Sequence, residues 1–441
     1  MNVEELYADK FVSWVIDKFE KMDSSYLARQ FVKNLSFRIF SNILTKGVSF
    51  LLIMWLTREL SPDDFGLYSF AISLAGFFVV FGNLGVTVAL LKVVPEKLAQ
   101  GDEGVASWVL GGLKLMTIGS LVSFLFLSLA SPFLALYVFG KPFVQPVIVL
   151  AGGFLFLMVI SGFFDSLFIA IKRNDLCFCS VIVKEVSRVL FIVLLVSAGL
   201  SFFGALYGYI LSFFVFLLVA LSLFLWKYAF LFKGKSLSVH KVFSYSKWFM
   251  ALGVFTTILA MMDILMISIF MPIRYTGYYT VVVSIVSALM LLIPISRITL
   301  PFFSEVSGEH LESRFRKIFY PTVVITFVVA VVLAVTSKPL LAFFYPVEYA
   351  ENAWIALSVL AFVVPVRNAF WLSVQRLIVL GKIRDQLWIT GLAAFVNLVL
   401  NVLFIPLFGL PGAAFATVLS LVVGFGLVIQ RGRWGWLGDS F

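Results

Sequence analysis

The stretch that decides the fold is residues 203–226, FGALYGYILSFFVFLLVALSLFLW, in which no side chain is charged. A helix needs about 20 apolar residues to cross the hydrocarbon core of a bilayer, and this stretch is long enough to do so. Similar stretches recur along the chain, because 62% of the 441 residues are hydrophobic, only 13% are charged and the mean hydropathy is +1.07. The composition therefore predicts an all-α integral membrane protein.

Long apolar runs separated by polar turns predict twelve transmembrane helices. Turn sequences such as Ser61-Pro62-Asp63-Asp64 and Lys172-Arg173-Asn174-Asp175 separate the runs. The predicted bounds are 36–57, 66–91, 105–130, 145–171, 177–199, 203–226, 247–270, 277–303, 318–337, 353–380, 386–408 and 411–430.

The basic residues predict how the chain is oriented. With a cytoplasmic N-terminus, and with Arg38 and Lys247 at the cytoplasmic edges of their spans counted with the flanking segments, the cytoplasmic segments hold 22 of the 33 Lys and Arg, the opposite loops hold 4, and 7 lie inside spans. An excess of basic residues in short loops marks the cytoplasmic side, so both termini are predicted to lie there, in the cell membrane. A net charge of +10 would indicate nucleic acid in a soluble chain, but here membrane orientation accounts for it and no nucleic-acid partner is expected.

The sequence divides into a leading segment and two lobes. Residues 1–34 carry apolar side chains at helical spacing between charged ones, which predicts an amphipathic helix on the inner membrane surface, with a partly ordered tail as the alternative. Residues 35–230 are predicted to form an N-terminal lobe of six helices, and residues 247–441 a C-terminal lobe of six. The basic connection 231–246 joins the lobes on the cytoplasmic side.

The two lobes are predicted to be copies of one another. Residues 204–212, GALYGYILS, align with residues 412–420, GAAFATVLS, at four identical positions of nine. A weaker repeat relates Gly66-Leu67-Tyr68 to Gly277-Tyr278-Tyr279. Six spans return the chain to the side where it started, so the copies enter the membrane in the same direction. This predicts a parallel repeat about a pseudo-two-fold axis along the membrane normal, an arrangement found in alternating-access transporters.

Two motifs resemble a known family. Residues 56–68, LTRELSPDDFGLY, followed by residues 81–85, FGNLG, are similar to the start of the polysaccharide-biosynthesis flippases, and the resemblance extends from about residue 30 through the rest of the chain. These flippases belong to the multidrug/oligosaccharidyl-lipid/polysaccharide exporter (MOP) superfamily. The resemblance implies two six-helix lobes, as in MATE transporters, around a cavity that opens to alternate sides. It also implies a lipid-linked oligosaccharide as cargo, with membrane lipids and glycosyltransferases as candidate partners. We expect a monomer without a cofactor.

Basic residues inside the spans are candidates for binding the cargo, because charged groups are costly in lipid and mark transport pathways. We expect Arg367, Arg297, Lys46 and Lys114 to line a cationic cavity, since such groups can neutralise a pyrophosphate. The alternative for Arg367 is a structural contact with backbone carbonyls at the Pro365 kink. Lys46 and Arg297 are close enough to the interface for their heads to snorkel into water.

Acidic and amide side chains inside the spans indicate a coupling site. Asp263 is the candidate for ion coupling, because a carboxylate in a low-dielectric cavity can exchange a proton or bind sodium; the alternative is a fixed ion pair with one of the cations. Asn397 and Asn401 lie one turn apart, which favours hydrogen bonds between helices over cavity lining. Glu185 and Arg188 are expected to pair on one helix.

Two other classes of protein fit the sequence less well than a flippase. A drug or cation antiporter of the same superfamily is expected to line its cavity with acids, whereas the spans hold seven Lys and Arg against Asp165, Glu185 and Asp263. A polysaccharide polymerase or ligase is expected to carry a large outer loop with catalytic groups, whereas the longest outer loops are the 15-residue segments 131–145 and 338–352. The two histidines lie in separate loops, so neither a metal site nor a catalytic residue is predicted.

Overall fold

The computed structural model describes residues 26–99, 104–228, 236–292 and 308–434, which are almost entirely helical. The first half contains α1 (Tyr26–Glu59), α2 (Pro62–Asn83), α3 (Val86–Ala99), α4 (Val105–Phe133), α5 (Gln145–Ala170), α6 (Asn174–Leu195) and α7 (Ser201–Tyr228). The second half contains α8 (Val239–Phe270), α9 (Ile273–Leu292), α10 (Gly308–Phe344), α11 (Val347–Leu360), α12 (Val363–Val379), α13 (Ile383–Phe408) and α14 (Leu410–Trp434). The predicted amphipathic segment falls mainly on residues 1–25, outside the described residues.

The twelve predicted spans coincide with helices wherever the structure describes them. Ten segments of the described chain are helical, long and apolar enough to cross a membrane. One of these, Asn174–Trp226, holds the fifth and sixth predicted spans. The eighth span begins in α9, and its second part lies beyond the described residues. The protein is therefore a multi-pass membrane protein, and its described helices are consistent with the twelve predicted spans.

Within the described residues, the second and tenth spans are each built from two helices. The second span breaks between α2 and α3, where Leu84 and Gly85 have φ angles of 53° and 76°. Glycine is required at position 85 because a Cβ there would lie 2.4 Å from the carbonyl oxygen of Ser246 on α8. The tenth span breaks between α11 and α12, just before Pro365, which lacks a backbone donor for the helix.

The two halves meet along α2, α8 and α9, since α2 packs against both of the other helices. The closest approach involves the glycines of the weaker sequence repeat. A Cβ on Gly66 would lie 2.3 Å from the carbonyl oxygen of Ile273, and one on Gly277 would lie 3.2 Å from the amide nitrogen of Gly66. Small residues at these two positions therefore let the backbones of the two halves touch.

The stronger repeat has the same structural role in both halves. Gly204 at the start of α7 packs against the backbone of Leu195 at the end of α6, within the first half. Gly412 at the start of α14 packs against the backbone of Phe404 near the end of α13, within the second half. Each glycine thus fixes a helical hairpin, and the two hairpins correspond.

The bundle has two faces. The terminal face carries the start of α1 at Tyr26 and the end of α14 at Trp434. The opposite face carries the turn after α1, Leu60-Ser61, and the turn after α8, Met271-Pro272.

Candidate functional site

Asp263 lies deep in the second half of the protein. The residue is 8% exposed and sits on α8, seven residues before the helix ends at Phe270. That spacing corresponds to about 10 Å along the helix axis from the opposite face. A carboxylate at this depth must be satisfied by neighbouring helices, since an unpaired charge is costly there.

Among the described residues, four side chains on three other helices donate hydrogen bonds to Asp263. Asn401 and Asn397 on α13 donate to Oδ1 at 2.8 and 3.3 Å. Tyr279 on α9 donates to Oδ2 at 3.0 Å, and the Thr417 hydroxyl on α14 donates to the same oxygen. All of these side chains are buried. The predicted helix–helix role of Asn397 and Asn401 is confirmed. These five residues form the carboxylate cluster.

The carboxylate cluster has the chemistry of a small cation site. None of the ion pairs found among the described residues involves Asp263. The Asn401 amide oxygen is buried and has no hydrogen-bond partner in the described part of the chain. Carboxylate, amide and hydroxyl oxygens are the ligands that hard cations take, and a half-turn of an amide exchanges its donor for its acceptor. The cluster can therefore hold a proton on the carboxylate, or a hard cation after such a turn.

Arg367 lies on the wall of a concave surface. Its side chain on α12 is exposed although protein atoms surround it. Nη1 contacts the Met290 sulfur at 3.8 Å, and no backbone carbonyl of the described chain accepts a hydrogen bond from the guanidinium. The structural alternative at the Pro365 kink therefore has no contact to support it. Met290 is close to the end of α9 and seven residues before Arg297, which lies outside the described residues.

The two predicted lysines lie on separate helices. Lys46 is exposed on α1, three residues before Ser49. Lys114 is exposed on α4 in line with Ile118, Leu121 and Leu125, whose apolar side chains are also exposed. That stripe is typical of a face that contacts lipid, from which a lysine head snorkels to the interface. Lys46 is therefore closer than Lys114 to a contact between helices, because Ser49 accepts a hydrogen bond from Arg188 on α6.

A second buried cluster lies on α6 in the first half. Arg188 Nη2 is 2.5 Å from Glu185 Oε2, which confirms the predicted pairing on one helix. Arg188 also donates to the Tyr209 hydroxyl on α7 at 3.3 Å and to Ser49 Oγ on α1 at 3.0 Å. Lys184 Nζ lies 3.6 Å from Glu185 Oε1. The Glu185 carboxylate is thus neutralised by side chains of its own helix. These five residues form the arginine cluster.

Contacts between the two halves close the opposite face. Arg274 Nη2 on α9 lies 2.9 Å from Asp63 Oδ2 on α2, and the Asp63 carboxylate raises the pKa of Arg274 above its usual value. Lys141, in the turn before α5, donates to the backbone oxygen of Ser268 on α8 at 2.7 Å, and burial lowers the pKa of Lys141. Together with the approach of Gly66 to α9, these contacts join the halves at this face.

Two repeat-related six-span halves, joined at one face and each holding a buried polar cluster, define a two-lobe membrane transporter. The family model described as "Polysaccharide biosynthesis protein" matches residues 31–307. This is more than half of the chain, so the protein belongs to the polysaccharide biosynthesis protein family, whose flippases act on lipid-linked substrates. The predicted family and the predicted two-lobe fold are confirmed.

Solved structures share this fold. A multidrug resistance MATE family transporter of the MOP superfamily, in an inward-facing conformation, is 13% identical with a TM-score of 0.67, covering 92% of this chain and 96% of that one. The lipid II flippase MurJ, in an inward closed conformation, is 16% identical with a TM-score of 0.65, covering 91% of this chain and 87% of that one. The uncharacterized membrane protein MJ1068 of Methanocaldococcus jannaschii is 21% identical over 421 residues, covering 89% of this chain and 82% of its own length.

Proposed function

We propose that this protein flips a lipid-pyrophosphate-linked oligosaccharide or polysaccharide repeat unit across the cell membrane by alternating access. The observation that carries the proposal is Arg367, a basic side chain exposed on a concave wall within the spans of a polysaccharide biosynthesis protein. A solved protein of similar fold is named as a flippase of lipid II, which supports a lipid-linked cargo.

The charge of the cargo explains the cation. A pyrophosphate cannot enter hydrocarbon without neutralisation, because a bare anion is strongly destabilised there. Arginine offers a permanently charged planar fork that binds two phosphate oxygens at once. Arg367 contacts Met290, which precedes Arg297 by seven residues in the sequence, so we propose that both arginines contact the pyrophosphate, with Lys46 on the first span as a third cation.

The closed opposite face supports alternating access. The distribution of Lys and Arg supports a cytoplasmic terminal face, and in this proposed orientation the closed face is the outer one. We propose that the headgroup enters from the cytoplasmic side while the lipid tail stays in the bilayer. The pair Asp63–Arg274 and the contact of Gly66 with α9 then separate to release the cargo.

Asp263 supplies the proposed coupling to an ion gradient. Its carboxylate cluster joins α8 and α9, which pack against α2 of the first half, to α13 and α14, which pack against each other in the second half. Binding a proton or a sodium ion would change the hydrogen bonds among these helices, which gives the ion a way to bias one packing over the other. The lobes 35–230 and 247–441, joined by 231–246, are both present in one chain, so we propose that a monomer transports. Glycosyltransferases that build the cargo are candidate partners.

The proposal is tested by reconstituting Arg367 variants in vesicles that contain a fluorescent lipid-pyrophosphate oligosaccharide. Arg367→Lys keeps the charge and loses the fork, so it should flip more slowly than the wild type. Arg367→Ala loses both and should flip at least about tenfold more slowly, which corresponds to about 1.4 kcal/mol. Lys338→Ala is the matched control, because it removes an exposed cation that lies on a different helix, six residues before the end of α10.

Stability is measured on the same preparations, so that a transport defect can be separated from a folding defect. Arg367→Ala should melt at the wild-type temperature, since its guanidinium makes no ion pair among the described residues. Wild-type flipping by Arg367→Ala, with the Lys338→Ala rate unchanged, would reject the role of Arg367 in cargo binding.

A further inference from the structure

The arginine cluster and the carboxylate cluster occupy matching places in the two halves. The first draws on the first, fifth and sixth spans of its half, and the second on the first, second, fifth and sixth spans of its half. Tyr68, on the second span of the first half, lies close enough to Arg188 and Glu185 to interact with them electrostatically. In the weaker repeat Tyr68 corresponds to Tyr279.

The stronger repeat fixes the correspondence on the fifth and sixth spans. Tyr209 and Thr417 are the same position of the aligned segments 204–212 and 412–420. Gly204 packs on Leu195 and Gly412 packs on Phe404. Seven residues before Leu195 lies Arg188, and seven residues before Phe404 lies Asn397. Arg188 therefore has the position in the first half that Asn397 has in the second half, where the Asn397 amide donates to the Asp263 carboxylate.

The first spans of the two halves differ at the position that Asp263 occupies in the second half. Asp263 precedes Tyr279 by 16 residues, and the residue 16 before Tyr68 is Leu52, which is 5% exposed. The first half thus has an apolar side chain where the second half has its carboxylate. Its own carboxylate, Glu185, sits on the fifth span next to the guanidinium.

We propose that the arginine cluster is the repeat-related counterpart of the carboxylate cluster. In it the guanidinium of Arg188 takes the place of the proton or metal cation that the carboxylate cluster binds. The Arg188 guanidinium lies among the same spans in which the second half can take up a proton or a sodium ion. The charge of the Glu185 carboxylate is then permanently neutralised, so the first half does not respond to the ion gradient. Resting on the proposed coupling at Asp263, this fixes the coupling at one exchangeable cation in each transport cycle.

Removal of Arg188 should convert the first half into an ion-responsive site. Glu185 and Arg188 are 1% and 4% exposed, so deleting the guanidinium leaves a buried carboxylate whose remaining ion pair shown in the described part of the chain is with Lys184, at 3.6 Å. A buried charge that loses its partner is strongly destabilised unless it takes up a proton or a cation. Among the described residues, Tyr68 on α2 and Tyr209 on α7 are further titratable groups that interact with the Glu185–Arg188 pair.

The test uses full-length protein in which Asp263→Asn silences the second half. Melting temperatures of Asp263→Asn and Asp263→Asn/Arg188→Met are measured from 1 to 100 mM sodium, with choline holding ionic strength constant, and from pH 8 to pH 6 in choline alone. The Arg188→Met protein should gain at least about 2 °C in one of these titrations. A gain with sodium identifies a metal cation, and a gain at low pH identifies a proton.

The control adds Glu185→Gln to the Arg188→Met protein, which removes both charges and should remove the gain. Melting temperatures that stay constant in both titrations, or an equal gain in the control, overturn the proposal. So does a failure of the Arg188→Met protein to fold under every condition, whether or not the control folds, because Glu185 then recruits no cation. A response already present in Asp263→Asn alone rejects coupling at Asp263, while the difference between variants still tests Arg188.

Discussion

Replacing Gly66 by alanine should open the face at which the two halves meet. A Cβ at position 66 would lie 2.3 Å from the carbonyl oxygen of Ile273 and 2.8 Å from its carbonyl carbon. Favourable contact between such atoms requires about 3.5 Å, so α2 and α9 must separate by roughly 1 Å. Both atoms belong to the backbone, and no change of side-chain rotamer can relieve the clash.

The clash acts on one conformation only, because the contact is made when the opposite face is closed. Overpacking of this kind typically costs about 1–3 kcal/mol. A penalty of about 1–3 kcal/mol on one of two states changes their ratio by a factor of about 5–150. Gly66→Ala should therefore reduce the ratio of the closed to the open population at least about fivefold.

Cross-linking across the face measures this population. Cysteines replace Asp63 and Arg274, whose exposed ion pair contributes little, in a chain whose own Cys177 and Cys179 are serine. A short bifunctional thiol reagent should join them more slowly in Gly66→Ala. The control is Gly162→Ala, because a Cβ there meets nothing within 4 Å. Equal cross-linking rates in the two proteins would refute the reasoning.

Two further predictions concern coupling and orientation. Asp263→Asn keeps the shape of the side chain but not its charge, so it should abolish gradient-driven flipping while leaving cargo binding intact; normal gradient-dependent flipping would remove Asp263 from the mechanism. A cysteine in place of Arg274 should react with an impermeant thiol reagent added outside intact cells, whereas one in place of Arg314 should not, and the reverse pattern would invert the assigned orientation.

The spans were predictable because each is a local property of the sequence. Apolar runs of sufficient length and turns such as Ser61-Pro62-Asp63-Asp64 mark them without reference to the rest of the chain. The breaks inside two spans were harder to foresee. Leu84 adopts a left-handed conformation because Gly85 is pressed against Ser246, more than 150 residues later, and the sequence pattern around Leu84 is simply apolar.

The carboxylate cluster was predictable only in part. Asp263 and the pair Asn397 and Asn401 stand out as polar groups in apolar helices. Tyr279 and Thr417 do not stand out, since tyrosine and threonine are tolerated in membrane helices without a special role. Both lie in the segments that the internal repeat aligns, so reading the repeat for polar positions was the signal that could have found them.

The contacts of Arg188 were missed for a different reason. Its pairing with Glu185 follows from their spacing on one helix, and that prediction is confirmed. The contacts with Ser49 and Tyr209 depend on how three spans pack, which a single sequence does not reveal. The register set by Gly204 on Leu195 is what shows Arg188 to be the counterpart of Asn397.

The proposed cargo is an anionic lipid-linked oligosaccharide. The wild-type protein should therefore transport such a lipid in preference to a cationic drug. Vesicles containing the purified protein are given a fluorescent lipid-pyrophosphate oligosaccharide, and a membrane-impermeant quencher measures how much label reaches the outer leaflet. Parallel vesicles are given a fluorescent cationic drug under the same ion gradient. Protein-dependent flipping of the lipid is expected, with no accumulation of the drug. Accumulation of the drug without flipping of the lipid would contradict the proposed cargo.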